Sequence, residues 1–116
     1  MSASPTTDQK LFGLFELDAT GTVLYSRVEP DGDPRAARPD FSGRNFYEDV
    51  LSFENAEELR RRVAAFERGA SPADSFCFEC RYDAGPLPVR VLLARVRERS
   101  SHERTKSVLV HIRKGA

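Results

Sequence analysis

Gly43-Arg44-Asn45-Phe46-Tyr47-Glu48-Asp49-Val50 is the stretch on which the reading of this chain turns. Phe46 and Val50 stand four residues apart, one helical turn, so a short helix here buries both on the same face. Asn55 then opens the strongest helical segment, which runs to about Arg68. Asparagine is a favoured N-cap, and Glu58 three residues later completes a capping box. Leu59, Val63 and Phe66 make the apolar stripe, and Gly69 supplies the stop. Arg60, Arg61 and Arg62 fall mostly on the wet face and read as solvation.

Strands are expected on both sides of this helical centre. Over Lys10–Asp18, Leu11, Gly13, Phe15 and Leu17 alternate with Phe12, Leu14 and Glu16. Both faces are largely apolar, which places this strand centrally and covered on two sides. Asp18-Ala19-Thr20-Gly21 reads as a turn, its carboxylate free to accept from backbone N–H groups just ahead. Thr22–Arg27 returns as the second strand of a hairpin. Glu29–Ser42, with three prolines, is an irregular connection holding at most a helical turn around Arg35–Ala37. Downstream, Phe76, Phe78 and Tyr82 share a strand face with Cys80, and Asp83–Pro88 reads as a turn. Val89–Arg97 is a long strand whose apolar phase shifts from Val89, Val91 and Leu93 to Leu92, Ala94 and Val96, which means two-sided burial or a bulge. A polar loop over Glu98–Thr105 leads to a last strand, Lys106–Arg113, with Val108, Val110 and Ile112 facing in. The order is two strands, helices, then three strands.

At 116 residues, 40% hydrophobic and 31% charged, the chain makes one domain. Residues 1–9 read as a flexible tail and residues 10–114 as the folded unit. No apolar run exceeds four residues, far below the ~20 that a membrane-spanning helix needs. Eighteen basic side chains balance eighteen acidic ones, which argues against a nucleic-acid-binding domain. The charges are unevenly spread: residues 1–60 carry 6 Lys/Arg against 12 Asp/Glu, and residues 88–116 carry 8 against 2. If the two ends pair in space, the asymmetry cancels locally. Cys77 and Cys80 have C-x-x-C spacing, but on a strand positions three apart point to opposite faces, so the pair cannot share a metal or a disulfide. No metal site is expected, and unpaired thiols fit a cytoplasmic protein. Glu48 and Asp49 do not converge, and two histidines in a loop and a strand support no catalytic constellation, so no enzymatic activity is expected.

The order of elements, with one sheet facing a group of helices, resembles the PAS family. Phe12-Gly13, Leu17-Asp18, Gly21 and Leu24 resemble the first hairpin of a PAS domain. Gly43–Val50 resembles the Gly-x-Asn-Phe-Phe-x-Asp-Val segment of the photoactive yellow protein branch. The resemblance implies an α+β, PAS-like fold: a five-stranded antiparallel sheet with helices packed on one face, order ββααβββ. In that branch a cinnamoyl chromophore is attached through a cysteine three residues beyond the Asp-Val pair. That position is Phe53 here, which has no nucleophile, so the resemblance argues against a covalent chromophore. Ser26 and Pro30 fall where the branch's tyrosine and glutamate would hold the chromophore, with Tyr25 and Glu29 adjacent.

A PAS-like scaffold places a ligand pocket between sheet and helices, and the candidates to line it are Phe46, Val50, Leu59, Val63, Phe66, Phe76, Phe78, Val91 and Val110. The same residues would equally fill a core. Haem is disfavoured because His111 alternates away from Val110 and Ile112. PAS domains commonly dimerise through the outer sheet face, where Phe12, Leu14, Leu92 and Leu109 are the candidates. The expectation is a non-catalytic sensor or interaction module in signal transduction, acting as a homodimer or on a separate signalling protein, without nucleic acid or membrane. The alternatives are a ligand-free dimerisation scaffold and a roadblock-type domain that binds small GTPases.

Overall fold

The computed structural model describes residues 11–29, 40–98 and 101–115. The expected tail and the helical turn around Arg35–Ala37 lie outside them. The described residues form β1 (Gly13–Leu17), β2 (Val23–Val28), α1 (Ala56–Arg68), β3 (Ala73–Tyr82), β4 (Gly85–Glu98) and β5 (Ser101–Lys114). A single turn of π-helix, Phe46–Val50, lies between β2 and α1. The five strands make one antiparallel sheet in the order β2-β1-β5-β4-β3. The first and last strands therefore meet: β1 pairs with β5, Phe15 opposite Val110 and Leu17 opposite Val108.

Alternation sets the inner face. Phe15, Leu17, Val91, Leu93, Val108, Val110 and Ile112 are buried there, together with Leu59, Val63 and Phe66 from α1 and Phe46 and Val50 from the π turn. The apolar stripe read from the helix and the inward residues of the last strand are all found in this one core. Gly13 lies at a close approach: its φ is 157°, and a Cβ there would collide with the Arg27 carbonyl oxygen across the β1–β2 pair. The β1–β2 turn forms as expected. Asp18 Oδ1 accepts from the Thr20 N–H at 2.9 Å and the Thr22 N–H at 3.0 Å, and Gly21 adopts a φ of 87°. Thr20 first, through its hydroxyl, holds the Asp18 carboxyl below its ordinary pKa.

The helical elements between β2 and β3 differ in kind. The Leu51 N–H donates to the Phe46 carbonyl at 3.0 Å, five residues back, which widens the Gly43–Val50 segment into a π turn. Asn45 caps it: Asn45 Oδ1 accepts from the Tyr47 and Glu48 N–H groups, both at 3.0 Å. Asn45 is therefore the side-chain N-cap of this region. Asn55 is the residue before α1, but its side chain makes no cap bond.

Two turns are shorter than the sequence suggests. Tyr82 pairs with Gly85, so only Asp83 and Ala84 turn, and Pro86 and Pro88 belong to β4 opposite Arg81 and Glu79. The Arg95 N–H donates to the Pro72 carbonyl at 3.1 Å, which fixes the even-numbered residues of β3 as those bonded to β4. Both prolines then stand at non-bonded positions of that pair, where a missing N–H costs β3 nothing. At the other end, strand pairing continues to Glu98 and Ser101, with register shifts after Val96 and Arg97. The expected loop over 98–105 is mostly strand, because main-chain pairing does not require apolar side chains. The phase change in β4 reflects partial cover on the outer face, where Leu92, Ala94 and Val96 are half-buried, with the shift in register following Val96.

Candidate functional site

The nine residues nominated for a pocket come together on the inner face. Phe46, Val50, Leu59, Val63, Phe66, Val91 and Val110 are at most 7% exposed, and Phe76 and Phe78 pack against them half-buried. Phe15 and Phe46 lie 4.9 Å apart between ring centroids at the centre of this packing. Phe53 is buried beside it, its ring 5.6 Å from Tyr82 and 6.0 Å from Phe78.

A cavity of about 120 Å³ opens where α1 meets the β1–β2 turn, walled by Asp18, Thr20, Tyr47, Arg60, Val63 and Glu67 among others. Of the nominated residues, Val63 alone reaches it. Burial pushes the Glu67 carboxyl up, against the pull of Arg95, and pushes the Tyr47 phenol up as well.

The outer face carries the larger concavity, about 590 Å³, lined by Leu14, Ala73, Asp74, Ser75, Leu92, Leu93, Ala94, Leu109 and His111. Its rows follow from the register. Leu14, His111, Leu92 and Ser75 stand opposite one another across β1, β5, β4 and β3; Glu16, Leu109, Ala94 and Ala73 form the next row. Three of the four residues nominated for an interface, Leu14, Leu92 and Leu109, line this groove. Phe12 does not line it and packs half-buried against the core. His111 faces the groove, as alternation required.

Two polar side chains do more than the sequence announced. Asn55 is buried, and its amide brackets the edge of β3: Nδ2 donates to the Glu79 carbonyl at 2.8 Å and Oδ1 accepts from the Arg81 N–H at 2.9 Å. Glu58 accepts from Nδ2 at 3.3 Å, so the expected capping box is replaced by a side-chain bridge. Arg95 follows Val89, Val91 and Leu93 in phase on the inner face. Its guanidinium donates to the carbonyls of Phe66, Glu67, Gly69 and Ser71 and lies over the Phe66 ring, 4.6 Å from its centroid. It supplies donors to the carbonyls at the C-terminus of α1, and its charge suits the negative end of the helix dipole. An arginine in phase with core positions was the signal for it in the sequence; small Ala73 and Ser75 gave none.

The cysteines are free: Cys77 is exposed and Cys80 buried, on opposite faces of β3. Burial pushes the Cys80 thiol up to about 12. Among the described residues, no three His, Cys, Asp or Glu side chains group to hold a metal, and no helix is long and apolar enough to cross a membrane.

No protein-family model matches the chain. Among curated proteins it is similar to the photoactive yellow protein of Halochromatium salexigens, 30% identical over 88 residues, covering 72% of this chain and 67% of that one. It is also similar to the photoactive yellow protein of Rhodothalassium salexigens, 33% identical over 86 residues, covering 72% of this chain and 66% of that one. The chain spans about two thirds of the length of these relatives.

Proposed function

The chain belongs to the photoactive yellow protein family, and from that we propose a PAS-type sensor module that acts by association through the outer face of its sheet rather than by absorbing visible light. The relatives are photoactive and yellow by name. Visible absorption needs a chromophore, since protein aromatics absorb only in the ultraviolet. At the position the family resemblance assigns to chromophore attachment, Phe53 presents a phenyl ring packed on Phe78 and Tyr82. It offers no thiolate for a thioester.

The observation that carries the association reading is the outer groove. Leu14, Leu92 and Leu109 line a concavity of about 590 Å³ on the side of the sheet away from α1. A contiguous apolar concavity of this kind marks an interaction site more often than bare surface. The partner is a second copy or a separate signalling protein, and the module is non-catalytic. Family membership replaces the roadblock-type reading. A small ligand on the inner face would have to displace side chains from a packed core, since Phe46, Leu59, Val91 and Val110 are fully buried there.

Leu92→Glu combined with Leu109→Glu tests the reading by sedimentation velocity and circular dichroism. The pair should convert dimers to monomers with the fold retained. An unchanged sedimentation profile with an intact fold removes the outer face as an interface.

A further inference from the structure

We propose that the Ala73–Cys77 half of β3 is the seam of self-association, pairing antiparallel with the same segment of a second copy about Ser75. This rests on the association reading above and names the edge that would carry it.

β3 is an outer strand of the sheet. Its even-numbered residues bond to β4, as the Arg95-to-Pro72 bond fixes. The N–H and C=O groups of its odd-numbered residues therefore point away from the sheet. One half of that edge is closed. Asn55 takes the Glu79 carbonyl and the Arg81 N–H, and the Glu54 N–H donates to the Arg81 carbonyl at 2.8 Å. The other half is open. Among the described residues, the outward groups of Ala73 and Cys77 and the Ser75 carbonyl have no partner. The Ser75 N–H is held by the adjacent Asp74 carboxylate at 2.9 Å. Main-chain donors and acceptors in a row demand an extended main chain opposite them.

The register selects the occupant. A two-fold axis normal to the sheet keeps each side chain on its own face, so residues of like parity must pair. The Asn55 bracket blocks an axis at Cys77 or beyond, because Glu79 and Arg81 would then have to pair. An axis at Ser75 uses only open positions: Ser75 opposite Ser75, and Ala73 opposite Cys77, with up to about six main-chain hydrogen bonds. The facing outer side chains are small, so the strands can close. On the inner face Asp74 comes opposite Phe76 of the second copy, whose ring carries the Arg62 guanidinium at 3.8 Å. An acid thus meets a base across the seam. Both groove rows end at this edge, at Ala73 and Ser75, so the pairing joins two outer grooves into one trough over a ten-stranded sheet.

Asp74 acts as the guard of the edge, because its carboxylate occupies the Ser75 N–H that the second copy needs. Edge strands are commonly protected by such charges.

Ser75→Cys in a Cys77→Ala background tests the register. The two new thiols face each other at a Cα separation a disulfide tolerates, and mild oxidation should give a reducible dimer. Native Cys77 is the control: in this register its partner's Cys77 lies about 14 Å away, and the wild-type chain should not cross-link. Ser75→Pro removes the outward N–H, with its Asp74 bond, while leaving the β4 pairing of the even-numbered residues in place, and should weaken association at least ~10-fold with the fold intact. A dimer that resists cross-linking through Ser75→Cys, or persists in a folded Ser75→Pro variant, overturns the seam. If that dimer is still lost in the Leu92→Glu, Leu109→Glu variant, the outer-face reading stands without it. A wild-type chain monomeric at every concentration reached overturns both.

Discussion

Replacing Asn55 separates two roles that look alike in the sequence. As an N-cap, its work would be to accept from the first turn of α1, and Asp or Ser would serve nearly as well. As found, its amide both donates and accepts: Glu79 carbonyl at 2.8 Å, Arg81 N–H at 2.9 Å. Two such bonds contribute roughly 1 kcal/mol each, so Asn55→Ala should cost about 2 kcal/mol. For a domain of this size that lowers the melting temperature by roughly 8 °C. Asn55→Asp keeps the acceptor for Arg81 but loses the donor, and sets a carboxylate against the Glu79 carbonyl and the Glu58 carboxylate. It should therefore be at least as destabilising as alanine. Urea unfolding followed by circular dichroism, with the slope unchanged, gives the comparison. If Asn55→Asp is as stable as wild type, the residue is a cap and the bracket on β3 is energetically empty. A second consequence follows from the same geometry: Asn55→Ala frees the Glu79 carbonyl and the Arg81 N–H on the closed half of the β3 edge and should raise the tendency to associate.

Arg95→Ala should cost roughly 2–3 kcal/mol by releasing the carbonyls at the end of α1, and Arg95→Lys should recover little, because one ammonium cannot span four carbonyls held by a planar fork; equal stability of the lysine variant in urea unfolding would refute the clamp. A thiol reagent should modify Cys77 rapidly in the native protein and Cys80 only on unfolding, since Cys80 is buried and its thiol is pushed up to about 12; two equally fast thiols would contradict the strand register. Glu67 has a folded pKa raised above its ordinary 4.5 by burial, so the native state holds its proton more tightly than the unfolded chain. Its contribution is full below 4.5 and is lost as pH rises through the folded value. Glu67→Gln should flatten that decline in a pH series of melting temperatures; an unchanged slope would place the carboxylate in free solvent.

Large apolar residues were the legible part of this chain. The stripe Leu59, Val63, Phe66 and the inward positions Val91, Val108, Val110 and Ile112 announced the core through their periods, and Leu14, Leu92 and Leu109 announced the groove by falling out of phase with it. Small and polar residues were not legible in the same way. Ala73 and Ser75 complete the groove only because strand register sets them beside Ala94 and Leu92, and register depends on pairs far apart in sequence. Asn55 carried a true local signal, a good residue before a helix, and tertiary structure used it for something else. The helical turn at Phe46–Val50 was placed correctly but its width was not, since four- and five-residue hydrogen-bond spacings bury the same two side chains. Pro86 and Pro88 read as a turn by composition; their positions opposite non-bonded residues of β3 are what admit them to a strand.

Native mass spectrometry of the gently purified protein, with an absorption spectrum of the same sample, tests the central claim most directly. A dimer at twice the mass of the unmodified chain, with no band beyond tyrosine, is the result expected of a family member that works by association. A covalent adduct or a visible band surviving purification would contradict it and return the chain to the light-absorbing chemistry its relatives are named for.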